Sequence, residues 1–92
     1  MRHERAVEIG QDAVGWLLAD PERLVALATS SGVALGDLRG LVDDPDFLGS
    51  ALDFVLASDA TVLDFVGHAG LRPEEPGLAR ATLAGPGGAN WT

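Results

Sequence analysis

The chain has 92 residues, which is enough for one small domain with a single hydrophobic core. With 47% apolar and 22% charged residues it is too hydrophobic for intrinsic disorder, and the absence of cysteine excludes disulfides and thiolate metal sites. Fourteen acidic residues, six arginines and no lysine give a net charge of −8, which disfavours binding to nucleic-acid phosphates and to anionic membranes.

Capping residues mark the starts and ends of the predicted helices. Asp20-Pro21-Glu22 and Asp44-Pro45-Asp46 each place a carboxylate before a proline at the first helical position, and Ser58-Asp59 offers a cap without proline. Gly32 and Gly70 suit left-handed C-terminal caps. The predicted helices cover residues 4–19, 21–30, 35–42, 45–57, 59–69 and 73–83.

The predicted fold class is all-α, a compact bundle of five to six short helices. Nothing in the chain has the sustained alternation of a strand. We expect residues 1–84 to form a single helical domain and residues 85–92 a flexible tail, because the tail is rich in glycine. The helix at 45–57 is the predicted central helix. Its apolar stripe consists of Phe47, Leu48, Ala51, Leu52, Val55 and Leu56.

The two halves of the chain resemble each other. When the chain is shifted along itself by 38 residues, apolar, capping and glycine positions of one half fall on positions of the same type in the other, for example Trp16 on Phe54, Asp20 on Ser58 and Gly32 on Gly70. The coincidence suggests two pseudo-repeated helical hairpins, although a chance likeness between amphipathic helix pairs explains it too. Two copies are fewer than the roughly three repeats that a solenoid needs, so we expect a bundle.

Several short motifs resemble those of a known family. They are Trp16-Leu17-Leu18 before Asp20-Pro21, Asp44-Pro45 with Phe47-Leu48, Leu52-Asp53-Phe54, and Gly70-Leu71. Over residues 8–84 the chain resembles a family of short, acidic alphaproteobacterial proteins known as a domain of unknown function. The resemblance implies an all-α bacterial cytoplasmic protein and brings no catalytic residues. The chain departs from the family pattern at Val33-Ala34-Leu35-Gly36, where a helix start resembling Leu-Asp-Pro is expected.

Targeting signals are not evident in the sequence. The charged residues 1–15 lack the apolar run of a signal peptide, and no apolar stretch approaches the ~20 residues that span a bilayer. These patterns agree with a cytoplasmic location and no membrane partner.

Residues able to perform chemistry are few and are better explained structurally. His3 is near the terminus, and His68 is in the last turn of a predicted helix, where the helix dipole favours a cation. The acids at 43, 44 and 46 lack the spacing of a calcium loop and are better read as a cap and its first turn. Asp53 and Asp64 are predicted to be solvated positions of amphipathic helices. We predict no catalytic residues, no cofactor and no metal, and therefore no enzyme.

Apolar residues beyond one helical stripe predict an interface. The candidates are Phe54, Leu63, Leu18, Val25 and Trp91. The leading hypothesis is a non-enzymatic protein-interaction or regulatory module with an unidentified protein partner. The alternative is a self-associating structural protein that buries Phe54 and Leu63 in a homodimer. An enzyme or metal-binding protein that uses the acids at 43–46 or His68 ranks third.

Overall fold

The computed structural model describes residues 1–32 and 35–84 of the chain. In these residues it contains five α-helices, one 3-10 helix and no strand. The α-helices are α1 (His3–Leu18), α2 (Pro21–Ser31), α3 (Pro45–Val55), α4 (Asp59–Ala69) and α5 (Glu75–Leu83), and the 3-10 helix Leu35–Leu41 connects α2 to α3. The prediction of an all-α bundle is confirmed. The predicted tail at 85–92, with Trp91, lies outside the described residues.

The predicted helix starts are confirmed at three positions. The Asp20 side chain accepts a hydrogen bond from the Glu22 N–H at 2.9 Å. Asp44 does the same for the Asp46 N–H at 2.9 Å, and the Ser58 hydroxyl oxygen accepts from the Thr61 N–H at 3.2 Å. Each contact satisfies a backbone donor that has no partner within its helix.

Left-handed glycines end α2 and α4, and a turn at Arg72–Glu75 precedes α5. Gly32 and Gly70 have φ values of 73° and 71°, the left-handed conformation predicted for them. The predicted start of the last helix at residue 73 is wrong, because α5 begins at Glu75. Pro76 has no N–H to donate to the Arg72 carbonyl. The Glu75 N–H therefore binds that carbonyl at 3.0 Å, and the Glu75 carboxylate accepts from the Arg72 N–H at 2.9 Å.

The helix predicted at 35–42 is a 3-10 helix. Gly36 and Gly40 lie within it, and a glycine inside a helix costs about 1 kcal/mol relative to alanine. This composition weakens a regular α-helix and agrees with the short, tighter 3-10 form. The departure from the family pattern overlaps the start of this element at Leu35 and Gly36, whereas residues 33 and 34 lie outside the described part of the chain.

Helices α1 and α3 form the centre of the bundle. Each contacts all four of the other α-helices, so the predicted central helix shares its place with α1, and α5 packs against both. Gly10 allows α1 to approach α3 closely, because a Cβ atom at Gly10 would lie 2.9 Å from the Cβ of Leu48. The fully buried core side chains include Ile9, Leu17, Leu27, Leu48, Leu52, Val55 and Phe65.

The two halves agree in their caps and differ in their packing. Trp16 is 3% exposed and packs edge-to-face on Phe65, with ring centroids 5.6 Å apart. Its counterpart Phe54 is only partly buried at the edge of the core.

No helix within the described residues combines the length and apolar character that crossing a bilayer requires.

Candidate interaction surface

The structure places the predicted interface residues in different environments. Leu63 of α4 is 60% exposed, Val25 of α2 is 56% exposed, and Leu18 at the end of α1 is 48% exposed. Phe54 is partly buried and packs against the core, and Trp91 lies outside the described residues. The four predicted residues that the structure describes therefore differ in exposure, from the partly buried Phe54 to the open Leu63.

Leu63 lines a shallow groove between the end of α3, one side of α4 and the start of α5. We call it the Leu63 groove, and its volume is about 430 Å³. Its lining consists of five apolar or small residues, Leu56, Val62, Leu63, Pro73 and Gly77, and two acids, Asp59 and Glu74. The groove therefore has an apolar floor, and two carboxylates also belong to its lining.

The turn between α3 and α4 places Leu56 at the edge of the Leu63 groove. α3 ends at Val55, and the N–H of Leu56 donates to the Leu52 carbonyl at 2.9 Å. The chain then turns into α4 at Ser58, which leaves Leu56 exposed. The predicted helix end at residue 57 is wrong, because α3 ends at Val55, and Leu56, which was predicted in the apolar stripe of that helix, is its exposed C-cap residue.

The two acids of the Leu63 groove have no cationic side chain as a partner among the described residues. In the part of the chain that the structure describes, neither Asp59 nor Glu74 forms a salt bridge or a side-chain hydrogen bond. Other acids of α3, α4 and α5 do so. Asp53, for example, binds Arg80 at 2.8 Å, and Asp64 binds Arg23 at 2.9 Å.

Arg80 joins α5 to α3 beside a glycine. A Cβ atom at Gly49 would lie 2.9 Å from a guanidinium nitrogen of Arg80, so the absence of a side chain there makes room for the arginine. The hydrogen bond to Asp53, together with the negative charges of Asp53 and Asp46, raises the pKa of Arg80 although partial burial opposes the shift. Because a raised arginine pKa matters only at strongly alkaline pH, Arg80 is charged throughout the physiological range.

Arg23 joins α2 to α1 and α4. Its guanidinium carbon lies 3.9 Å from the centroid of the Trp16 ring, a cation–π contact, and the same side chain binds Asp64 and, at 3.6 Å, Asp20. Asp53 and Asp64 therefore serve separate arginines. As predicted, both occupy exposed positions on their helices.

The acids at 43–46 have structural roles. Asp44 caps α3, and Asp46 lies in the first turn of that helix, near the positive end of its dipole. Asp43 accepts a hydrogen bond from the Gln11 amide at 3.1 Å. No group of three or more potential metal-binding side chains occurs among the described residues.

A second depression lies where α1 meets the end of α4. It has a volume of about 420 Å³ and is lined by Gln11, Asp12, Gly15, Trp16, His68 and Ala69. His68 is exposed in the last turn of α4, as predicted. One histidine and one carboxylate in an open hollow offer no nucleophile with an adjacent base.

Two exposed leucines were not among the predicted interface residues. Leu56 belongs to the Leu63 groove, and Leu78 of α5 lines an adjoining hollow that shares Glu74 with the groove. The sequence signal that could have predicted the exposure of Leu56 is its position two residues before the cap Ser58, where the preceding helix has to end. No sequence signal predicts the exposure of Leu78, because the sequence does not show which side of α5 faces the core.

Comparison with known proteins places the chain in a family. No curated protein and no solved structure matches it. A family model described as a protein of unknown function, DUF3572, matches residues 3–86, which include all five α-helices and the Leu63 groove. The chain therefore belongs to the DUF3572 family.

Proposed function

We propose that this domain is a non-enzymatic interaction module whose Leu63 groove is the binding surface for another protein. The observation that carries the proposal is the 60% exposure of Leu63, which lines the mainly apolar groove. Burying an exposed leucine stabilises a complex by about 1.5–3 kcal/mol, so an unpartnered apolar groove favours binding.

The placement of the polar residues supports a role without catalysis. Several charged side chains of α2, α3 and α4 are engaged in caps and ion pairs, such as Asp44 with the Asp46 N–H and Arg23 with Asp64. The exposed histidine His68 faces a hollow with one carboxylate, Asp12. These assignments leave few side chains for general acid–base chemistry, which needs two groups converging on one substrate.

Photo-crosslinking in the native host tests the proposal. We would replace Leu63 with a photoreactive phenylalanine analogue and place the same group at Asp37, an exposed residue of the 3-10 helix, as the control. We expect a discrete covalent adduct with another protein from position 63 and none from position 37. The absence of an adduct at 63, or identical adducts at both positions, would reject the Leu63 groove as the binding surface.

Self-association is the second candidate function. The exposed side chains Leu18 and Val25 lie outside the Leu63 groove and favour a further apolar contact. The net charge of −8 on each copy opposes it. Light scattering over a tenfold range of concentration decides the question, because a homodimer shows a mass that rises with concentration. The effect of Trp91→Ala on that mass tests whether the tail contributes.

A further inference from the structure

Resting on the proposed function, we infer that the partner of the Leu63 groove is a basic amphipathic segment, with apolar side chains flanked by lysine or arginine. The apolar floor of the groove favours apolar side chains in the partner, and the acids Asp59 and Glu74 favour its lysine or arginine side chains. Neither acid has a cationic partner among the described residues, so each is available to a cation from outside.

The charge around the Leu63 groove is uneven and orients the ligand. The adjoining hollow beyond Glu74 contains Arg2, Arg5 and Arg72, of which Arg5 binds Glu8 at 3.0 Å and Glu75 at 3.7 Å. No arginine of the described part of the chain lines the groove itself, and Asp59 belongs to the groove and not to that hollow. The cations of the ligand therefore lie over the Asp59 side, where no arginine repels them.

Charge also selects among possible occupants. A second copy that met the groove through a two-fold axis would bring Asp59 and Glu74 close to their own counterparts, and the copies carry −8 each. The segment 85–92 of the same chain contains no arginine or lysine. A basic amphipathic segment satisfies both the apolar floor and the acids, as helices do when they bind in apolar grooves.

A titration of the full chain with a synthetic peptide tests this inference. The probe is a fluorescent leucine–lysine peptide with helical periodicity, compared with a scrambled peptide of the same composition. We expect the periodic peptide to bind about tenfold more tightly than the scrambled one, a difference of ~1.4 kcal/mol. Leu63→Gln should weaken binding of the periodic peptide by about tenfold, and Leu18→Gln, an equally polar change at an exposed leucine outside the groove, should not.

Two further variants separate charge from shape. Asp59→Asn should weaken binding more than Glu74→Gln and should flatten its dependence on salt, because one attractive charge is lost. Gly77→Gln should weaken binding while the fold persists, since a Cβ atom at Gly77 has no neighbour within 4 Å. This variant keeps the test valid if a leucine variant fails to fold.

The outcomes distinguish this inference from the proposed function. Equal binding of the periodic and scrambled peptides, or equal loss in Leu63→Gln and Leu18→Gln, would overturn the basic amphipathic partner. If position 63 still crosslinks to a protein in the host, the proposed function stands with a partner of different chemistry. A dimer mass that falls to that of a monomer in Leu63→Gln would assign the groove to a second copy and would also overturn the inference.

Discussion

At Gly10 a single hydrogen in place of a side chain sets the distance between the two central helices. The position a Cβ atom would take lies 2.9 Å from the Cβ of Leu48, an atom fixed to the backbone of α3. Gly15 lies in the same helix with no neighbour within 4 Å of such an atom. The sequence alone does not separate these two glycines, because their difference depends on where α3 crosses α1.

We therefore predict opposite effects for two identical substitutions in α1. Gly15→Ala should stabilise the fold by about 0.5–1 kcal/mol, because alanine favours a helix over glycine. Gly10→Ala gains the same propensity but overpacks the crossing with α3, which costs about 1–3 kcal/mol, so it should destabilise the fold overall. Urea unfolding of both variants measures the difference. An equal gain in stability from the two alanines would contradict the close crossing.

At the scale of elements, the caps decide where most helices begin. Three predicted N-caps accept the expected backbone hydrogen bonds, at Asp20, Asp44 and Ser58. These signals are local, since each needs only a few consecutive residues. Their success explains why the predicted starts of α2, α3 and α4 agree with the structure.

The cap at Asp44 predicts how two substitutions differ. Asp44→Ala removes the acceptor for the Asp46 N–H and should cost about 1 kcal/mol of stability. Asp44→Asn keeps an oxygen acceptor and should cost about 0.3 kcal/mol or less, because asparagine caps as well as aspartate. Chemical denaturation of the two variants checks the order. An asparagine variant as unstable as the alanine variant would mean that Asp44 acts through its charge, for example on a cation.

Two helix boundaries, the end of α3 and the start of α5, were less predictable than the capped starts. The Leu56 side chain fits the apolar stripe of α3, yet α3 stops at Val55 and the next residues turn toward Ser58. The start of α5 depends on the missing N–H of Pro76 and on the Glu75 carboxylate turning back to the Arg72 N–H. Both boundaries depend on hydrogen bonds in the turns that flank the helices. The periodic pattern of apolar residues does not predict those hydrogen bonds.

At the scale of the molecule, the sequence predicted the core better than the surface. The apolar positions of α3 and the burial of Trp16 follow from local pattern. The grouping of Leu63 with Leu56, Val62 and Pro73 does not, because it depends on how α4 and α5 are placed against α3. Leu63 was predicted as an interface residue from its excess hydrophobicity, but the Leu63 groove around it was not.

Different side chains form the core and the Leu63 groove. The core is formed by side chains such as Leu52 and Phe65, which are fully buried, and the Leu63 groove by side chains that the fold leaves uncovered. The central claim is therefore that Leu63 contributes little to the stability of the free protein. Polar substitutions at exposed positions change stability far less than substitutions in a core.

The measurement that tests this claim most directly is the free energy of unfolding of Leu63→Gln at two protein concentrations. Because the Leu63 side chain is 60% exposed, we predict a loss of less than about 1 kcal/mol, the same at both concentrations. A loss of about 2 kcal/mol or more is typical of a buried leucine and would contradict an open Leu63 groove. A loss that grows with protein concentration would instead show that Leu63 is buried between two copies of the chain.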